Sequence, residues 1–151
     1  MLEIEAHKKF NLEYTIFADF INEVSDDFLP PLLGRIDINE YIEKLKTYAS
    51  YSIAYNDGIV AGIILFYCNN YDTKDAYITL LAVRKEYRRM HIASMLLEKS
   101  IDFVRMQNMK TVSIHTNNEH AKDCYVKTGF HVVEMTEVSG TLTRYFLRKS
   151  L

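Results

Sequence analysis

The feature that most constrains the fold is a long amphipathic helix predicted between two β-type segments. Residues 92–106 place their apolar side chains on one helical face, and residues 76–83 and 111–115 on either side have the composition of strands. A helical crossover between two strands normally makes them parallel neighbours in one sheet. The sequence therefore predicts an α/β layered fold that contains a parallel strand pair.

Further helices and antiparallel strands surround this crossover unit. Asn56-Asp57-Gly58 predicts a hairpin turn, because an Asp-Gly step tolerates positive φ. Asp37 and Glu40 have capping-box spacing, and Gly129 suits the positive-φ end of a helix. The other predicted elements are a short strand that residues 1–10 could add, helices over 13–24, 37–49 and 119–127, and strands over 51–55, 59–67, 132–135 and 141–147.

Size and charge restrict the class of protein. A chain of 151 residues with 48% apolar residues can bury a core, so residues 1–151 are predicted to form a single domain. A net charge of -2 provides no basic field of the kind that binds a phosphate backbone. Nucleic acid is therefore not an expected partner.

The cysteines and the apolar runs point to an ordinary protein of the cytoplasm. Cys68 and Cys124 lie far apart without ligand spacing, so neither a disulfide framework nor a metal site is expected. The first ten residues lack a signal-peptide core, and the longest apolar run, Ile59 to Cys68, is too short to cross a bilayer. No membrane association is expected.

Two motifs carry a family resemblance. The first is Asn118-x-x-Ala121-x-x-x-Tyr125-x-x-x-Gly129-Phe130. The second is the loop Arg88-Arg89-Met90-His91-Ile92-Ala93 before the long helix, whose first and last residues fit the pattern Gln/Arg-x-x-Gly-x-Gly/Ala. Together they resemble the cofactor-binding half of the GNAT family of N-acetyltransferases. A capped amphipathic helix with a buried tyrosine is the competing interpretation of the first motif.

The resemblance implies a GNAT-like layered fold and a site for acetyl-CoA. The fold is a central mixed, mostly antiparallel sheet flanked by helices, with the parallel strand pair splayed at the coenzyme A site. The first amides of the helix would hold the pyrophosphate, since they have no intrahelical acceptor. The cofactor-binding residues implied are Leu81, Ala82 and Val83, through their main chain, then Arg88, Arg89, Met90, His91, Ile92, Ala93, Ser94, Asn118 and Tyr125.

Histidine replaces the usual glycine of this loop. His91 could narrow the phosphate site or force another local conformation, because glycine lets the backbone approach a ligand closely. Alternatively its backbone could be helical, with the imidazole in solvent. Arg88 and Arg89 would add charge-assisted donors beside the pyrophosphate.

Two side chains are predicted to act in catalysis. The resemblance places Tyr125 near the thioester sulfur, where a phenol that stays protonated at neutral pH can act as general acid. The family's carboxylate base positions fall on Tyr77 and Ser113. His115 lies on the same strand face as Ser113 and is a substitute base, because its pKa lies near working pH. A hydrogen-bonded histidine, a water relay through Tyr77, or an acceptor amine that is already neutral are the alternatives.

The acceptor is expected to be a small-molecule amine. The resemblance places its site between the first helices and the last hairpin, with Phe28, Leu29, Pro30, Tyr67 and Tyr77 as substrate-binding residues. This apolar, tyrosine-rich groove suits a small ring such as an amino sugar. The competing interpretation is that the Pro-Pro loop packs over the core and that the tyrosines are edge-strand residues.

The function predicted from these residues is acetyl transfer from acetyl-CoA to a primary amine by direct attack, without a metal. Cys124 next to Tyr125 is predicted to pack in the core rather than act as a nucleophile. The alternative function is a coenzyme A-binding sensor or interaction module that keeps the fold and has little catalytic activity. A homodimer is possible, since dimers are common among such folds.

Overall fold

The computed structural model describes residues 1–28 and 30–151. Within them, strands and helices follow one another in the order that the sequence predicts. The elements are β1 (Leu2–His7), α1 (Tyr14–Val24), α2 (Ile38–Tyr48), β2 (Ala49–Asn56), β3 (Ile59–Tyr67), β4 (Asp75–Val83), α3 (Ile92–Met106), β5 (Thr111–Thr116), α4 (Glu119–Lys127), β6 (His131–Ser139) and β7 (Leu142–Ser150). Single 3-10 turns cover Ser25–Asp27, Leu32–Gly34 and Lys85–Tyr87.

Local sequence signals account for most of these boundaries. Asp37 caps α2 by accepting the backbone N–H groups of Asn39 at 3.0 Å and Glu40 at 3.1 Å. In the β2–β3 turn, Asp57 and Gly58 have φ of 50° and 82°, as the Asp-Gly signal predicts. The final hairpin is longer than predicted, because β6 and β7 each extend beyond their apolar segments.

The last apolar position of α2 is not buried. The spacing of Tyr41, Ile42, Leu45 and Tyr48 predicts one apolar stripe, but Tyr48 lies in the last turn and is exposed. The helix ends at Tyr48, and the chain enters β2 at the next residue.

The strands form one sheet in the order β1-β2-β3-β4-β5-β7-β6. Neighbouring strands are antiparallel except for β4 and β5, which are parallel as the helical crossover predicts. One core cluster packs under α3 and α4, and a second packs under α1 and α2 on the opposite face of the sheet. The fold thus has three layers, with the sheet in the middle.

The parallel pair separates after four residues. Asp75–Ile78 pair with Thr111–Ile114, but β4 continues to Val83 without further pairing to β5. The two strands therefore splay at their carboxyl ends, as the family resemblance implies. A gap opens in the sheet between the start of α3 and the start of α4.

A β-bulge reorients β4 at the same point. Leu80 pairs with Leu65 of β3 and Ile78 pairs with Phe66, so Thr79 has no partner in that register. The extra residue changes which face the following side chains occupy. Ile78 belongs to the core under α3, whereas Leu80 and Ala82 belong to the core under α1 and α2.

Candidate functional site

The splay opens into a cleft of about 570 Å³ that reaches both faces of the sheet. Seven of the predicted cofactor-binding residues line it: Leu81, Ala82, Val83, Arg88, Ala93, Asn118 and Tyr125. Both predicted catalytic residues, Tyr125 and His115, line the same cleft together with the predicted acceptor residues Phe28 and Tyr77. Segments that are distant in sequence therefore meet at one opening.

Other predicted residues lie outside the lining of this cleft. Arg89, Met90, His91 and Ser94 are exposed on the loop and first turn of α3, and the side chain of Ile92 is buried in the core. Only main-chain groups of Ile92 are therefore available to a ligand. Pro30 is exposed and also lies outside the lining, while Leu29 lies outside the described residues.

The loop before α3 keeps a backbone that glycine normally adopts. Arg89 has φ of 73°, and His91, the N-cap of α3, has φ of 59° and ψ of 24°. His91 is thus left-handed rather than helical, and its exposed imidazole makes no capping hydrogen bond to the helix. A non-glycine residue in this region costs about 1 to 2 kcal/mol. The first N–H groups of α3 consequently remain open to an anion.

Arg88 has a partner within the protein. Its guanidinium forms an ion pair with Asp27, which follows α1, so the loop before α3 is tied to the segment that leads to Phe28. Both side chains line the cleft. An anion bound at the start of α3 would compete with Asp27 for Arg88.

The exposed backbone of β4 supplies a second set of polar groups. Leu81, Ala82 and Val83 follow the point where the β4–β5 pairing ends. The backbone N–H and C=O groups of these three residues that point away from β3 have no strand partner in the described chain. Such free donors and acceptors suit a ligand with amide groups, which could pair with β4 as a strand would.

Tyr125 is held in the cleft by the way that α4 ends. Gly129, with φ of 102°, donates its N–H to the carbonyl of Val126 at 3.1 Å, and Phe130 donates to the carbonyl of Tyr125 at 3.0 Å. This is a Schellman motif, in which the residue after the glycine packs on the residue five positions earlier. The rings of Phe130 and Tyr125 lie 5.7 Å apart accordingly. The spacing of tyrosine, glycine and phenylalanine therefore fixes the position of Tyr125.

The other end of α4 explains the asparagine of the same motif. Asn118 is the N-cap, and its Oδ1 accepts the backbone N–H of Ala121 at 2.9 Å. The motif thus defines both ends of one short helix at the splay.

Burial sets the protonation state of Tyr125. Its side chain is 9% exposed and lines the cleft. Desolvation raises the pKa of the phenol well above its usual value near 10, and the neighbouring Cys124 acts in the same direction. The hydroxyl is therefore a proton donor at neutral pH.

His115 and Tyr77 form a hydrogen-bonded pair across the parallel strands. The Tyr77 hydroxyl lies 2.8 Å from Nδ1 of His115, and the imidazole stacks on Phe146 of β7 with a centroid distance of 4.5 Å. Desolvation and the cation of Arg144 lower the pKa of His115, although Glu134 opposes them. The imidazole is thus neutral at neutral pH and able to accept a proton.

Ser113, the other position where the family places a base, forms hydrogen bonds within the sheet and does not line the cleft. It is fully buried, donates its hydroxyl to Asp75 Oδ1 at 2.7 Å and accepts from Nε of Arg148 at 3.0 Å. Thr111 donates to the same Asp75 oxygen at 2.7 Å. These bonds tie β4, β5 and β7 together below the splay.

Tyr67 borders a smaller cleft on the far side of Tyr77. This second cleft has a volume of about 300 Å³, and Tyr77 contributes to the walls of both. The Tyr67 hydroxyl is buried and has no hydrogen-bond partner among residues 1–28 and 30–151, and burial raises its pKa. Lys44 lies over its ring, 5.3 Å from the centroid.

The sequence-based selection missed several residues of the main cleft. Arg35, Tyr41, Thr79 and Arg144 all line it. No local signal marks Arg144, because polar and apolar residues do not alternate along β7 and nothing in the sequence shows that β7 lies beside β5.

The predicted packing of Cys124 in the core is wrong. Cys124 is exposed, lines the cleft, and has its Sγ 3.9 Å from Nε2 of His120. Because the strands diverge at this point, the face of α4 that carries Cys124 has no sheet to pack on.

The described residues contain neither a metal-binding cluster nor a membrane-spanning helix. No group of three or more His, Cys, Asp or Glu side chains among them has a geometry that could hold a metal ion. None of their helices combines the length and the apolar character that crossing a membrane requires.

Sequence comparisons identify a family and a distant relative. The family model described as "Acetyltransferase (GNAT) family" matches residues 15–130. The chain is also similar to GCN5-related N-acetyltransferase 6, chloroplastic, of Arabidopsis thaliana, with 38% identity over 60 residues. That alignment covers 38% of this chain and 21% of the relative, so the chain matches about a fifth of the relative's length.

Solved structures share the fold. The ribosomal-protein-S18-alanine N-acetyltransferase of Escherichia coli superimposes with a TM-score of 0.76 at 18% identity, covering 99% of this chain and 94% of that chain. A structure from Bacillus anthracis that contains acetyl coenzyme A superimposes with a TM-score of 0.63 at 22% identity, covering 78% of this chain and 69% of that one. Both confirm a central mixed sheet flanked by helices.

Proposed function

The chain belongs to the acetyltransferase (GNAT) family, and on that premise we propose that it transfers the acetyl group of acetyl-CoA to a primary amine of a small molecule. The observation that carries this proposal is the pair of titratable side chains that line the cleft. A buried, protonated tyrosine and a neutral histidine line the same opening between the splayed strands. One group can give a proton and the other can take one, as aminolysis of a thioester requires.

The structure fits acetyl-CoA on two counts. The start of α3 has free N–H groups for the pyrophosphate, and Arg88 lies beside it. The unpaired backbone of Leu81 to Val83 suits the amides of pantetheine. When bound, acetyl-CoA supplies an acetyl group that is activated as a thioester.

The residues divide the proton transfers between them. His115 accepts a proton from the attacking amine, and its bond to Tyr77 orients the ring. As the N–C bond forms and the C–S bond breaks, Tyr125 donates a hydrogen bond or its proton to the departing sulfur. The raised pKa of Tyr125 exceeds that of an ordinary thiol, which is about 8.5, so full transfer of the proton to the thiolate is unfavourable and Tyr125 acts chiefly as a hydrogen-bond donor.

The acceptor belongs to the same proposal. Phe28, Tyr41 and Tyr77 provide apolar walls at the end of the cleft that His115 borders. These walls suit a small ring, an amino sugar among them. The second cleft beyond Tyr77 offers room for a substituent of that ring.

A coenzyme A-binding module without efficient chemistry is the second candidate. It is favoured by the loop before α3, where Arg89 and His91 occupy strained positive-φ positions and Arg88 is already paired with Asp27. Weak cofactor binding and slow turnover would follow from these features.

Thiol release separates the two candidates. The purified chain is mixed with acetyl-CoA and a panel of amines, and free thiol is measured, while calorimetry measures binding of coenzyme A. Turnover well above the rate without protein supports the enzyme. Cofactor binding without turnover on any amine would support the module, and the absence of binding would contradict both.

A further inference from the structure

The acceptor end of the cleft carries positive charge. Arg35, which follows the Leu32–Gly34 turn, and Arg144 of β7 line the same opening as His115. Asp27 is the one carboxylate among the described residues of the lining, and it already pairs with Arg88. The described lining near His115 therefore includes two guanidinium groups and no acidic side chain.

Neither guanidinium is neutralised within the described part of the chain. No carboxylate of residues 1–28 and 30–151 lies within ion-pair distance of Arg35 or Arg144. Arg35 rests on the ring of Phe28, 5.9 Å from its centroid, which is a neutral contact. Glu134 of β6 is close enough to affect His115, but it does not line the cleft.

The two cations also act on each other and on the groups between them. Desolvation and repulsion by Arg144 lower the pKa of Arg35, and Arg144 also lowers the pKa values of Tyr77 and His115. Arg144 lies two residues before Phe146 on β7 and therefore on the same strand face, and Phe146 pairs with His115 and stacks on its ring. Like charges at one end of a partly desolvated cleft are unfavourable unless a ligand of opposite charge joins them.

We propose that Arg35 and Arg144 bind an anionic group of the acceptor, which is therefore a primary amine that also carries a carboxylate or a phosphate. This inference rests on the proposed function and names the class of its substrate. A guanidinium presents a planar set of donors that matches either anion. The arrangement disfavours a polybasic acceptor, because its charges would meet two arginines.

The position of Arg35 and Arg144 limits the size of the acceptor. Arg144 lines the same cleft as Tyr77 and His115 and shares a strand face with Phe146, which pairs with His115, so the anion is bound close to the group that takes the proton from the amine. The amine and the anion consequently belong to one compact molecule. Amino acids and phosphorylated amino sugars have this shape.

Matched acceptors test the inference directly. Tyramine is compared with tyrosine, which adds a carboxylate, and glucosamine is compared with glucosamine 6-phosphate. We expect the anionic member of one pair to have a kcat/KM about 10- to 100-fold higher than its neutral partner. The pair that shows the preference identifies the anion. Equal values within both pairs would overturn the inference while leaving the proposed activity intact.

Variants locate the effect. Arg35→Gln and Arg144→Gln should each raise KM for the preferred anionic acceptor about tenfold, with a much smaller change for the neutral partner. Arg105→Gln removes one positive charge from an exposed site on α3, outside the cleft, and serves as the control. Discrimination that survives both cleft variants would contradict the inference.

If no amine is acetylated, a binding measurement tests the anion site independently of activity. The imidazole signals of His115 are followed by NMR in the coenzyme A-bound protein during titration with each of the four acceptors. Shifts caused by an anionic acceptor, absent with its neutral partner and lost in Arg144→Gln, support the anion site even if the proposed activity fails. Identical responses to neutral and anionic compounds would overturn it.

Discussion

The two ends of the cleft are built by different means. The end formed by β4, α3 and α4 depends on backbone geometry: a free helix start, an unpaired strand edge and a Schellman motif that holds Tyr125. The end near His115 depends on side chains, with Arg35, Tyr77 and Arg144 contributed by separate elements. At the first end, the start of α3 and the position of Tyr125 follow from short motifs, while the arrangement of side chains at the second end exists only after the sheet has assembled.

Removing the hydroxyl of Tyr125 should give the largest effect on catalysis. Tyr125→Phe is expected to lower kcat about 100-fold, because the departing sulfur loses its proton donor, and to change the dissociation constant of coenzyme A little. Tyr145→Phe is the matched control, since Tyr145 is equally buried at 9% exposure and lies outside the cleft. An unchanged kcat in Tyr125→Phe would remove the role assigned to this residue.

The corresponding test at the other end concerns His115. His115→Gln should lower kcat/KM about 10- to 100-fold at pH 7, since the amine loses its base. The neutral imidazole is the active form and its pKa is lowered, so the acidic limb of the kcat profile of the unaltered protein should lie below pH 6.5. This limb should disappear in the variant.

His131→Gln is the control for that experiment, because His131 is exposed on β6 outside the cleft. A profile that is the same in His115→Gln as in the unaltered protein would assign the limb to the amine substrate or to a water relay instead.

The backbone at the end of α4 should have an intermediate effect. Gly129→Ala places a Cβ at φ of 102° and is expected to lower the free energy of unfolding by about 1 to 2 kcal/mol. Urea denaturation measures this change. Gly140→Ala is the control, since its Cβ would meet no atom within 4 Å and its φ lies outside the positive range. If the two variants were equally stable, the Schellman motif would not be what holds Tyr125.

The loop before α3 should give the smallest change. His91→Gly relieves the left-handed strain but adds entropy to the unfolded chain, so a gain between zero and about 1 kcal/mol is expected. Met90→Gly, at a neighbouring residue without positive φ, should lose stability instead. Because the backbone of His91 already has a left-handed conformation that glycine adopts and its imidazole is exposed, its replacement should change coenzyme A affinity by less than about threefold. Much tighter binding would show that the imidazole crowds the phosphate.

Most of the fold could be predicted because its signals are local. The bounds of α3 and α4 match the prediction, since apolar periodicity and caps lie within each helix. The bulge at Thr79 was not predicted, because it depends on the register between β3 and β4. The exposure of Cys124 was missed for a similar reason, since the splay beside α4 is a property of two strands.

The candidate site divides in the same way. The sequence selected Tyr125 and Asn118 through one motif, and it selected His115 only by its strand face. It could not select Arg35 and Arg144, whose importance comes from lying together beside Tyr77.

The sequence by itself determined the order of elements, the parallel crossover and the motif that closes α4. These depend on periodicity, capping and positive-φ residues, which act over a few positions of the chain. Only the tertiary structure decided that β7 lies beside β5, that Tyr77 bonds to His115, and that Arg35 and Arg144 line one cleft. Such contacts join residues that are far apart in the chain, so the packing of the sheet fixes them rather than any local pattern.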